Sequence, residues 1–188
     1  MKTLLLPAAA ALALAACSTV PATSPGAPAP VASRVSTASS ATINLASASA
    51  SLVSGRLTAV PMADGVHLRG EIGGLAPNST HAIHIHERGD CSAADASSAG
   101  GHFNPAASPH GKAGAGGHHA GDMDNVVANA QGVARVDAHA RGVTLGGGAA
   151  NDVLGRAVVV HAAADDYASQ PAGNAGARLA CGVIAVGP

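Results

Sequence analysis

Aromatic side chains are almost absent from this 188-residue chain, which has one Phe (Phe103), one Tyr (Tyr167) and no Trp. Its core must therefore be built from Val, Ile, Leu and Ala. Charge is sparse as well, at 11 % of residues with a formal net charge of −1. There is no basic run and no aromatic interleaving, so the electrostatic footprint of a nucleic-acid partner is missing. No acidic residue precedes Asp64, and no block of like charges forms a tail. The longest apolar run, over 4–16, is too short and too rich in alanine to span a bilayer. No segment carries a sustained 3.6-residue stripe with caps, which argues against a helical domain.

The first residues fit an export signal. Lys2 supplies the positive charge and 4–16 the apolar stretch, which makes 1–16 a signal peptide. The run ends in Leu14-Ala15-Ala16-Cys17, resembling the bacterial lipobox, in which the cysteine becomes the lipidated first residue of the mature protein. The alternative is an ordinary Ala-x-Ala cleavage with Cys17 incidental. Acyl chains on Cys17 would anchor the protein to a membrane without a transmembrane helix. The expected location is then the bacterial periplasm, and Ser18 is compatible with sorting to the outer membrane. Residues 17–40, rich in Pro, Ser, Thr and Ala, offer too little large apolar surface to repay ordering and read as a tether. The folded domain is expected over 41–188, long enough to bury a core. With Cys17 set aside, Cys91 and Cys181 are an even pair in an exported chain and read as one disulfide closing a loop of about 90 residues. The alternative for them is a pair of thiolate metal ligands.

Short runs of period-two alternation recur at 43–45, 53–60, 66–72, 82–86, 133–138, 156–161 and 179–186. Turn residues punctuate them, among them Pro61-Met62-Ala63-Asp64-Gly65 and Gly146-Gly147-Gly148. The pattern predicts an all-β domain, a sandwich or flattened barrel. Two segments do not read as strands, 89–124 and 165–176. Loops of that length in a compact domain are usually functional and need something to pin them.

The first of these loops carries four of the ten histidines, and the strand before it carries two more. In His81-Ala82-Ile83-His84-Ile85-His86 the alternation of a strand puts His84 and His86 on one face, close enough to share one ion. Downstream lie His102, His110, His119, Asp122 and His161, a stock of nitrogen and carboxylate donors suited to copper and zinc.

Several separated motifs resemble the copper/zinc superoxide dismutase family in its bacterial periplasmic lipoprotein form. They are His84-Ile85-His86-Glu87-Arg88-Gly89-Asp90-Cys91, Gly101-His102-Phe103-Asn104-Pro105, His110-Gly111, His119-Ala120-Gly121-Asp122, the stretch from Val159 through His161 to Asp165-Asp166, and Gly173-Asn174 through Arg178 to Cys181-Gly182-Val183-Ile184. They follow the family's order over about 41–187. The resemblance implies copper ligands His84, His86, His102 and His161, and zinc ligands His102, His110, His119 and Asp122. His102 would bridge the two metals. Asp165 would accept hydrogen bonds from His84 and His110 and orient both. Arg178 would guide superoxide toward the copper.

The implied activity is disproportionation of superoxide to dioxygen and hydrogen peroxide, protecting the cell envelope, with His102 and Arg178 as catalytic residues. His118 stands beside His119, and the family's His-x-Gly-Asp spacing to Asp122 selects His119. His67, His81 and His139 lie outside every motif and read as polar strand or surface histidines. The stretch Ala168-Ser169-Gln170-Pro171-Ala172 is short and uncharged where many members carry Glu and Lys, so long-range steering is expected to be weaker or to come from elsewhere. The aromatics that some bacterial members place at a dimer interface are missing, which leaves monomer and homodimer both open. Two rival functions are a metal-storing or metal-delivering protein of the same fold, and an envelope lipoprotein whose histidines bind zinc only to stabilise loops.

Overall fold

The computed structural model describes residues 35–187. The expected signal peptide, Cys17 and most of the tether lie outside the described residues. Residues 36–38, which composition places in that tether, are tied to the body. The Thr37 and Ala38 amides both donate to the Leu145 carbonyl, and Ser36 Oγ accepts from the Leu145 amide at 2.9 Å.

Nine strands follow in chain order: β1 Ala41–Ser47, β2 Ser54–Met62, β3 Gly65–Gly73, β4 Thr80–His81, β5 Ile83–His86, β6 Val126–Val127, β7 Ala134–Arg141, β8 Ala157–His161 and β9 Arg178–Ala185. Among the described residues the only helical piece is a three-residue 3-10 turn, Ser97–Ala99. Seven strands form one antiparallel sheet in the order β5-β8-β9-β1-β2-β3-β7, and β4 pairs with β6 in a separate ribbon. The sheet curls into a half-barrel. The ribbon links its edges, because β4 runs on into β5 and a bridge from Ala128 to Ala134 joins the end of β6 to β7. The chain leaves β3 for the far edge at β5 and returns to β7 beside β3, a crossover of Greek-key type.

Alternation decides which side chains fill the barrel. On β7, Ala134, Val136, Ala138 and Ala140 are buried while Arg135, Asp137 and Arg141 are exposed. Ile43, Leu57, Leu68, Ile72, Val136, Val158, Val160 and Ile184 meet in a core that is aliphatic apart from Phe103. The alternation fails most completely in β5 and β8, which are buried on both faces. On β8, Val158 and Val160 face the core while Ala157 and Val159 join a second cluster with Cys181, Ala96 and Ala99. The strap over 89–100 covers that outer face, and a disulfide from Cys91 to Cys181 fastens it, as the cysteine count predicts. On β5, Ile83 and Ile85 enter the core, and His84 and His86 point to the opposite side. There the two long loops close over them.

A candidate metal centre beneath two loops

Residues that the sequence scatters from position 84 to position 161 converge under these loops. The register of β8 against β9 shifts between Val160 and His161, a bulge of the kind that redirects a side chain. At that point His161 Nε2 comes to 3.3 Å from His86 Nε2. The 101–122 segment is stitched onto β5. The Phe103 amide donates to the Ile85 carbonyl and the Gly121 amide to the Phe103 carbonyl. A Cβ at Gly121 would lie 2.1 Å from the Ile85 carbonyl oxygen, so only glycine allows this approach. His102 is thereby bridged to His86 and Asp122 to His84 along the strand.

Two donor sets result. His84, His86, His102 and His161 form one, and His102, His110, His119 and Asp122 the other; within each, ligand atoms lie within 4.8 Å of one another. All seven residues are buried. His118 belongs to neither set. Its Nδ1 donates to the His119 carbonyl at 2.7 Å and its Nε2 accepts from the Gly114 amide at 3.2 Å.

Hydrogen bonding decides which nitrogen of each ring carries a proton and which keeps its lone pair. His84 Nε2 donates to Asp165 Oδ2 at 2.8 Å and His110 Nε2 donates to Asp165 Oδ1 at 2.9 Å. His86 Nδ1 donates to the Gly100 carbonyl at 2.9 Å, and His161 Nδ1 faces the Gly176 carbonyl at 3.3 Å. The Nε2 atoms of His86 and His161 are therefore two lone pairs facing each other. Buried His84 Nδ1, His102 Nε2 and His110 Nδ1 have no hydrogen-bond partner. Unsatisfied buried nitrogens cost about 1–3 kcal/mol each, so a cluster of them fits a site built to hold a Lewis acid.

The electrostatics agree. Burial pushes His86 down to about 2 and His161 down to about 3, aided by neighbouring histidines. Burial also lowers His84, against the pull of Asp165, and lowers His119. At His110 burial is opposed by Asp165 and Asp122, and the net shift is upward. Asp122 is held well below the usual carboxylate range: burial raises it, but hydrogen bonds from His102 and from the Gly111 and His119 amides prevail. Neutral imidazoles and an ionised carboxylate are the forms that bind metal, and His84, His86, His119, His161 and Asp122 are biased toward them while His110 is biased the other way. Three nitrogens with one carboxylate oxygen suit zinc, and four imidazoles suit a redox-active ion such as copper.

The sets are reached through a cleft of about 500 Å³ lined by His86, His102, His161, Gln170, Pro171 and Arg178 among others. Arg178 begins β9, and its Nη1 and Nη2 donate to the Ala96 and Gly100 carbonyls, each at 2.7 Å. Two neutral carbonyls fix the guanidinium without cancelling its charge. A larger concavity, along β7 by Asp137 and His139, touches none of the donors.

Sequence reasoning misjudged or missed several residues around this centre. His81, read as a polar strand or surface histidine, is on a strand but buried; its Nδ1 donates to the His161 carbonyl at 2.8 Å. Asn125 pairs with the main chain of Asp165 in both directions, at 2.8 and 2.9 Å. Gly173 leaves room for Asp165, since a Cβ there would lie 1.8 Å from Oδ1. His67 and His139 pair with Asp137 and Asp64 on the outer face of β3 and β7, away from the centre, as surface histidines should.

Comparison with known proteins gives the same picture from another direction. Residues 53–184 match the family model for copper/zinc superoxide dismutase. A superoxide dismutase [Cu-Zn] of Aquifex aeolicus is 44 % identical over 135 residues, covering 70 % of this chain and 79 % of that protein. One from Caulobacter vibrioides is 42 % identical over 135 residues, covering 69 % and 77 %. Among solved structures, the clock protein EA4 superposes with a TM-score of 0.70 at 38 % identity, covering 80 % of this chain and 96 % of that one. A superoxide dismutase-like protein from Bacillus subtilis gives 0.69 at 34 %, covering 76 % and 97 %. Sequence, fold and donor sets lead to one assignment: the chain belongs to the copper/zinc superoxide dismutase family.

Proposed function

We propose that this protein disproportionates superoxide to dioxygen and hydrogen peroxide, with copper held by His84, His86, His102 and His161 and zinc by His102, His110, His119 and Asp122. The observation that carries the reading is the sharing of one imidazole, His102, between two buried donor sets beneath a single cleft that bears a fixed cation. Copper, when bound, supplies one-electron redox chemistry, and zinc supplies only charge.

The protein's own groups do the rest. Arg178, held by two carbonyls at the cleft wall, attracts and orients the small anion beside His86, His102 and His161. His102 lines the cleft, and with Nδ1 anchored at Asp122, 2.8 Å away, its unpartnered Nε2 is the nitrogen left to take a proton and hand it to the reduced anion. Asp165 fixes the rings of His84 and His110 so that their Nδ1 atoms keep one direction.

Asp122→Ala tests the zinc assignment. It removes one zinc donor and the partner of His102 Nδ1 while leaving the other set's histidines in place. We expect loss of zinc, a lower melting temperature and an activity loss that is largest at alkaline pH, where proton supply through His102 limits the rate. Retention of equimolar zinc would refute the assignment.

We further propose that the protein acts as a lipoprotein of the bacterial periplasm, attached through Cys17 to the outer membrane, where it removes superoxide near the envelope. The Leu14-Ala15-Ala16-Cys17 box and the Pro-rich segment after it support this. Cys17→Ala should move the activity from the membrane to the soluble fraction undiminished. A variant that stays with the membranes would rule out the anchor.

A further inference from the structure

Several contacts that hold the donor sets come from residues inside the sequence motifs, but one grip on His110 does not. Gln170 stands in the uncharged stretch of the second loop, 60 residues away, and its carboxamide meets the main chain of His110 from both sides. Its Oε1 accepts from the His110 N–H at 2.8 Å, and its Nε2 donates to the His110 carbonyl at 2.9 Å. The pairing copies one rung of a β-ladder, with a side chain in place of a strand. A single planar amide thus takes both polar groups of one residue, and the His110 backbone cannot slide or rotate without breaking both bonds. On the ring side His110 is held by Asp165, which belongs to the same loop as Gln170. Gly173 closes the grip, because a Cβ there would lie 2.7 Å from His110 Nε2. Gln170 also lines the cleft beside Pro171 and Ala172.

We propose that Gln170 is a positioning residue: it fixes the direction of His110 within the zinc set and locks the cleft wall to that set, so that metal retention and the shape of the cleft depend on one amide. The inference rests on the reading of His102, His110, His119 and Asp122 as the zinc set. The chemistry of the side chain is specific. An amide both donates and accepts, a glutamate of the same length can only accept, and a methionine does neither. Removal of outer partners of metal ligands typically weakens binding by about 10–100-fold, which sets the size of the effect.

The test compares wild-type protein, Gln170→Met and Gln170→Glu. Zinc affinity is measured by competition with a chromogenic chelator, and the visible spectrum is recorded after Co(II) replaces zinc. Gln170→Met should lose about 10-fold or more in zinc affinity and shift the cobalt bands, which report ligand geometry. Gln170→Glu keeps the arm to the His110 N–H and should fall between wild type and Gln170→Met. Wild-type affinity and an unchanged cobalt spectrum in the folded variants would overturn the clamp, whatever happened to thermal stability. If Gln170→Met does not fold, Gln170→Glu alone decides on the same two readouts. Failure of the wild-type protein to take up zinc or cobalt would instead overturn the metal reading beneath it.

Discussion

A single imidazole, His102, belongs to both donor sets, and a single carboxylate, Asp165, ties the sets together from behind through His84 and His110. These residues differ in how far the sequence exposes them. His84 and His86 are legible from alternation alone, because neighbours two apart on a strand share a face. The choice of His119 over its neighbour comes from motif spacing, and the structure gives the physical reason: both ring nitrogens of His118 are spent on the main chain. Gln170 and Asn125 are illegible, since each works on a main-chain group tens of residues away. Arg178 carries the clearest prediction at this scale. Arg178→Glu should leave metal content unchanged, cut turnover severely and make added salt speed the reaction instead of slowing it. Were Arg178 only a surface charge, worth about 0–1 kcal/mol, a fully metallated variant would turn over like wild type. Stopped-flow decay of superoxide at several ionic strengths separates the two.

Strands were the more legible elements. All seven alternating runs correspond to strands of the large sheet, with ends shifted by a few residues. The ribbon of β4 and β6 escaped because two residues cannot display a period. Alternation also understates β8, where every residue is buried once the 89–100 strap lies over its outer face. That strap does more than cover apolar surface. The Gly100 carbonyl accepts from both His86 and Arg178, and the Ala96 carbonyl also accepts from Arg178. Because the Cys91–Cys181 bridge spans 90 residues, removing it should cost at most about 4–5 kcal/mol in the chain-entropy picture. A Cys91→Ala/Cys181→Ala variant should therefore melt at lower temperature, become open to proteolysis within 89–100 and lose activity as Arg178 loosens. An unchanged melting temperature with intact activity would show that packing alone holds the strap.

For the molecule as a whole, a rigid aliphatic half-barrel presents two histidines on β5 and one on β8, and two pinned loops bring the remaining donors to them. The fold class could be read from periodicity. The shape of the site could not, because it depends on the Val160/His161 register shift, on glycines that permit close approach and on loops whose path no alternation records. A scaffold of this kind also suits a protein that merely stores metal, and the donors alone do not separate storage from catalysis. The shared His102 and the fixed Arg178 at the cleft do, because storage requires neither. The decisive measurement is the copper and zinc content of the purified, reconstituted protein, taken together with its superoxide-dependent turnover. We expect one copper and one zinc per chain, with turnover that rises in proportion to bound copper. Zinc alone after copper-replete reconstitution, or both metals bound without turnover, would contradict the assignment.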